Sequence, residues 1–100
     1  MNRSDRMKPI KRYADTREQD AGALLARARA LVEERERQLG ELRRYREEYA
    51  GQQAQGLGTL DPVRLQNFHA FLARLGDAVR QQQDLVEEAR ADLERCAASW

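Results

Sequence analysis

The second half of the chain carries a pattern that few folds can accept. Phe68, Leu72, Leu75, Val79, Gln82, Val86, Ala89, Leu93, Cys96 and Trp100 follow one another at alternating steps of four and three. A repeat of 3.5 residues kept over many turns stays on one side of a helix only if that helix winds around a partner as a left-handed coiled coil. One polar residue, Gln82, interrupts the apolar series. No stretch alternates as a strand does. The pattern therefore demands a second helix.

The first half supplies it. Ile10, Tyr13, Leu24, Ala28, Leu31, Leu39, Leu42 and Tyr49 share one face of a helix, with Val32 and Tyr45 at its edges. Pro9 suits a first turn, where its missing N–H is no loss. Thr16 with Gln19 offers a weaker start as a capping box, but the apolar face is already in phase at Pro9. Between the halves lies GQQAQGLGTLDP, residues 51–62, in which Gly51, Gly56 and Gly58 can each end a helix. Asp61 then caps a second helix that opens on Pro62. The expected fold class is all-α, a two-helix antiparallel coiled-coil hairpin. Helix 1 is expected over about 9–55, the turn over 56–61 and helix 2 over about 62–100, with residues 1–8 a loose basic tail.

A short turn fixes which residues lie side by side. It puts Arg35 level with Gln82, either as one polar layer that costs stability and fixes register or as two side chains that snorkel to solvent. The same geometry leaves Ile10 and Tyr13 without partners before Trp100, an overhang of about 12 Å at ~1.5 Å per residue. The favoured expectation is that the natural chain continues past Trp100; the other is a docking surface.

Chemistry in a pocket is not expected. Two helices cannot enclose one. His69 has no Cys or His at ligand spacing and reads as a solvated helix residue, while Cys96 falls on the seam as a small core filler. No catalytic residue, metal or cofactor is expected. The acidic group Asp84, Glu87, Glu88, Asp92 and Glu94, interleaved with Arg90 and Arg95, has the texture of a solvated helix face. A net charge of +1 argues against nucleic-acid binding along the whole chain, although Arg3, Arg6, Lys8, Lys11 and Arg12 cluster at the start against Asp5. The longest apolar run, AGALLA, is too short to cross a bilayer, and the basic start lacks the apolar core of a secretory signal. A single cysteine fits a reducing compartment. These features read together as a cytoplasmic chain.

What remains is binding. Phe71, Ala78 and Leu85 recur at spacing seven on the flank of the second helix, and Leu25 and Val32 widen the opposite face of the first. Burying a Phe or Leu is worth about 1.5–3 kcal/mol, and a slender hairpin has too little of its own surface to cover both seam and flanks. Curvature of the stripe could tuck some of them in. Otherwise they form an edge for a partner, with Phe71 as its anchor.

The order LRRYREEYAG, a glycine-rich turn, then LQNFHAFLARLGDAVRQQQDLVEEAR resembles the FliJ family of the flagellar export apparatus. Tyr45-x-x-x-Tyr49 before the turn, Asn67-Phe68-x-x-Phe71-Leu72-x-x-Leu75 after it and the Gln81–Gln83 run carry the resemblance, with RYADTREQDAGALLARA similar to the family's first helix. The resemblance implies a non-enzymatic cytoplasmic coiled coil, similar to the central stalk of rotary ATPases and peripherally associated with the membrane export apparatus. Implied partners are the hexameric flagellar export ATPase, the export-gate membrane protein on its cytoplasmic side, and export chaperones. Neither nucleic acid nor direct membrane insertion is implied. The ATPase end corresponds to Ile10, Lys11, Arg12, Tyr13 and Arg17. Gate binding corresponds to Phe71, Leu75 and Ala78, with Gln82 and Leu85 next along that face. Family members are typically longer, with a charged helical continuation that would start near Ser99-Trp100. Two other readings stand beside this one. One is a self-assembling coiled-coil scaffold or adaptor, in which the flank buries against a second hairpin. The other is a helical binder of nucleic acid or anionic surfaces through the basic tail, which would show strongly salt-dependent binding.

Overall fold

The structure, a computed structural model, describes residues 3–56 and 61–99, with side chains from residue 10 onward except at 53 and 54. Two helices account for nearly all of it: α1, Arg3–Gly56, and α2, Pro62–Ala98. They run antiparallel in a rod of 88 × 16 × 16 Å. Tyr49 meets Phe68 near the turn, and Glu36 meets Arg90 far from it. The fold is the expected hairpin.

The ends of the elements differ in detail from the sequence expectation. Helix α1 takes in residues 3–8, expected as a tail, and Pro9 stands inside it at the cost of one backbone hydrogen bond. Thr16 caps nothing; its hydroxyl donates to the Arg12 carbonyl at 2.8 Å, one turn back in the same helix. Gly51 does not stop α1, which runs on to Gly56. Residues 57–60, including Gly58, lie outside the described residues, as does Trp100. The start of α2 is as expected. The Asp61 carboxylate accepts from the Arg64 N–H at 2.8 Å, its carbonyl accepts from the Leu65 N–H at 3.0 Å, and Pro62 occupies the first turn.

Burial locates the seam. On α2 it follows the expected series, with Phe68, Leu75, Val79, Gln82, Val86 and Ala89 buried. Leu65 joins at the turn end, half-buried. On α1 the expected face needs correction. The inward series is Leu25, Ala28, Val32, Arg35, Leu39, Leu42, Arg46 and Tyr49, all buried or half-buried at steps of three and four. Val32, expected at an edge, is 9% exposed, whereas Leu24 and Leu31, expected in the face, are 56% and 41% exposed. The cause is geometric. A straight-helix projection drifts by about 20° per heptad relative to a supercoiled seam, and two arginines on seam positions disguise the repeat.

The core is thin. Leu39, Val79 and Val86 form its centre, with Leu42 packed against them, and no large side chain among the described residues is wholly enclosed. Stability therefore comes from a row of small contributions. Leu39→Ala is expected to lower unfolding free energy by about 2–3 kcal/mol. A methyl group added at the neighbouring Gly40 would meet nothing within 4 Å, so Gly40→Ala is expected to raise it by about 0.5–1 kcal/mol through helix propensity. Urea unfolding of the two variants checks both signs.

Candidate functional site

Halfway along the seam sits one polar layer. The Gln82 side chain, 8% exposed, donates from Nε2 to the Arg35 carbonyl at 3.0 Å and to Gln38 Oε1 at 3.1 Å. The Arg35 guanidinium donates from Nη1 to the same Gln38 oxygen at 3.5 Å. Gln82 thus lies level with Arg35, but it bonds the arginine's main chain, and the side chain it meets is Gln38. Every buried polar side-chain atom among the described residues is satisfied, so the layer does not leave a desolvated group uncompensated.

The two long edges of the rod are unlike. Along one, Glu36 and Arg90 pair across the helices at 2.7 Å, and Arg43 and Gln83 share a shallow groove with Arg90. Along the other, positions one step outside the seam carry Leu24, Leu31, Gln38 and Tyr45 on α1 against Phe71, Ala78, Leu85 and Asp92 on α2. Tyr45 and Phe71 touch edge-on, with ring centroids 6.4 Å apart, and Leu31 and Leu85 line one groove. One edge is charged; the other is mostly apolar.

The apolar edge is richest near the turn. Tyr49 packs on Phe68 at 5.4 Å and edge-on to Phe71 at 4.7 Å, and the Arg74 guanidinium lies over the Phe71 ring at 5.8 Å. Phe71 is half-buried: it leans on its own chain and still shows a face to solvent. Ala78 and Leu85 are likewise half-buried, whereas Leu75 and Gln82 turn into the seam. The structure therefore divides the five gate-binding candidates into three on the surface and two beneath it. Tyr45, Leu31 and Leu24, at 50%, 41% and 56% exposed, belong to the same edge. Tyr45 was expected at an edge; Leu24 and Leu31 escape a reading that places them in the seam, although their spacing of seven, continued to Tyr45, is the signal that marks a flank.

At the end away from the turn α1 runs alone. Its 54 residues against 37 in α2 make helices of about 81 and 56 Å at ~1.5 Å per residue. Ile10, Lys11, Arg12, Tyr13 and Arg17 all lie on this overhang and are exposed, Ile10 at 65% and Tyr13 at 66%. The Arg17 guanidinium lies over the Tyr13 ring at 5.9 Å.

Elsewhere the surface is laced with exposed ion pairs. Arg37 bridges Glu34 and Glu41 at 2.5 Å each. Its hydrogen bond and charge hold the Glu34 carboxyl below the ordinary glutamate value, and Glu34 in turn raises Arg37. Arg80 pairs with Asp77 and Arg95 with Asp92. Among the described residues no group of His, Cys, Asp or Glu could hold a metal ion, and no helix is long and apolar enough to cross a membrane.

Such a molecule offers edges and ends in place of a pocket, and this defines its class: a two-stranded antiparallel coiled-coil protein. A family model described as "Flagellar FliJ protein" matches residues 3–100, and the chain belongs to the FliJ family. It is a component of the flagellar export apparatus, from a non-catalytic family. No curated protein and no solved structure matches it.

The polar layer yields a test. Replacing Gln82 by Leu removes two hydrogen bonds but fills the seam, so stability is expected to change by less than about 1.5 kcal/mol. Gln82→Ala, which opens a gap as well, is expected to cost about 2 kcal/mol or more. Thermal unfolding of both variants distinguishes a layer that serves register from one that serves stability.

Proposed function

We propose that the protein is a non-enzymatic stalk and escort of the flagellar export machinery, working in the cytoplasm at the periphery of the membrane export apparatus. The overhang of α1 binds the hexameric export ATPase. Ile10 and Tyr13 provide apolar contact there, and Lys11, Arg12 and Arg17 provide charge. The apolar edge contacts the export-gate membrane protein from its cytoplasmic side through Phe71, Ala78 and Leu85. Leu75 and Gln82 contribute from below by holding that edge in place. Export chaperones are escorted on the same rod. Nucleic acid and direct membrane insertion have no part in this reading.

The observation that supports it is the exposed row at the start of α1, in which two large apolar side chains stand among three cations. Every residue from 10 to 20 is exposed, although Ile10 and Tyr13 are large and apolar. Exposed side chains of this kind gain by burial against another protein. Large aromatic and aliphatic anchors of this kind dominate binding energies.

Joint replacement Ile10→Asp and Tyr13→Asp is expected to weaken capture of the purified hexameric ATPase at least tenfold, about 1.4 kcal/mol, while circular dichroism stays unchanged. Full binding by that variant would refute the assignment of this end. Phe71→Ala is expected to weaken binding to the cytoplasmic domain of the gate protein at equal helicity, and unchanged binding there would refute the edge assignment alone.

A further inference from the structure

The hairpin's two edges differ in a way that its own fold does not require. A coiled coil is complete with its seam filled, yet on one edge Leu24, Leu31 and Tyr45 of α1 and Phe71, Ala78 and Leu85 of α2 form a mostly apolar strip, interrupted by Gln38 and closed by Asp92 at the Leu24 level. The opposite edge carries the Glu36–Arg90 ion pair. The charges bordering the apolar strip indicate what fits it.

Consider a second copy laid edge to edge with the first about a two-fold axis parallel to the rod, both turns at the same end. Helix α1 of each copy then lies against α2 of the other, antiparallel, and every residue keeps its level. Tyr45 and Phe71 meet Tyr45 and Phe71 of the second copy, and Leu31 and Leu85 meet their counterparts. The small Ala78 between them permits close approach. The residues next outward from the strip are all exposed, and at matching levels they pair Asp20 with Arg95, Arg27 with Glu88 and Glu41 with Arg74. The two remaining levels, Glu34 with Gln81 and Glu48 with Asn67, are neutral partners. These five flanking levels hold three opposite-charge pairs and no like-charge pair, and the one charge on the strip itself, Asp92, is held by Arg95. Reversing the second copy instead puts α1 on α1 and loses the fixed levels, so that no single set of charge pairs is imposed.

We propose that the apolar edge is a self-association surface, on which two copies of this chain pair side by side, turns together, as a four-helix bundle. Opposite charges placed across helices choose partner and orientation in this way in coiled coils generally. The strip from Leu24 to Tyr45 is about 32 Å long at ~1.5 Å per residue. With a rod 16 Å wide it covers about 1,000 Å² over both copies, the lower end of specific interfaces. The dimer does not depend on the ATPase or gate contacts proposed above.

The test is sedimentation equilibrium of the whole chain from low to several hundred micromolar. A concentration-dependent shift from monomer to dimer is expected. Arg27→Glu alone, or Glu88→Arg alone, places like charges at two symmetry-related sites and is expected to weaken association about tenfold. The double variant R27E/E88R is expected to restore it to within about threefold, since the pair is only exchanged. Both positions are exposed, and circular dichroism confirms that each variant is folded. A monomer at every concentration overturns the proposal. So does a dimer indifferent to the single reversals, or one the double variant fails to restore, because the contact then lies elsewhere.

Discussion

The seam between α1 and α2 is the constraint from which the rest of the molecule follows. Among the described residues seven apolar side chains are buried in it, in a row only one layer deep, because two helices cannot build a second layer. The row forces the helices to wrap, the wrap fixes which residues face outward, and those residues make the two edges. Gln82 places one hydrogen-bonded level in the middle of the row. An apolar seam alone tolerates slippage by a heptad, since one leucine layer resembles the next; a glutamine that must find the Arg35 carbonyl and Gln38 does not.

The α2 half of this arrangement was plain in the sequence, and the α1 half was not. Phe68 to Cys96 keep the four-three rhythm with one interruption, so period and partner could both be read from it. In α1 the arginines at 35 and 46 occupy seam positions, where their stems pack and their heads leave. Reading apolar residues alone therefore favoured Leu24 and Leu31 over Leu25 and Val32. A one-residue error of this kind moves the face by about 100°, enough to confuse an edge with a seam. The partner of Gln82 was harder to read for another reason. Levels follow from the turn, but whether a main-chain carbonyl or a guanidinium answers depends on side-chain direction. The start of α1 at Arg3 also goes beyond what local signals show, since Pro9 is a strong mark for a first turn.

The candidate surfaces separate along the same lines. That α2, as far as Ser99, does not reach the level of Ile10 and Tyr13 was legible because levels follow from the turn. The apolar edge was legible only on α2, through Phe71, Ala78 and Leu85. Its α1 side, Leu24, Leu31 and Tyr45, became visible once burial had located the true seam. Phe71 is held by Tyr45 and Tyr49 and still open on one face, so curvature and a partner edge both describe it in part. A strip one layer deep accommodates one occupant at a time. A second hairpin and an export-gate surface would compete for it.

The central claim is that the chain folds back on itself, α2 lying along α1. Spin labels at Glu33 and Asp84, in a Cys96→Ser background, measure this directly through their dipolar separation. The folded-back rod predicts a distance of about 20 Å, two helices lying 8–10 Å apart plus the label arms. A distance near 75 Å, as along one continuous helix at ~1.5 Å per residue, would contradict it.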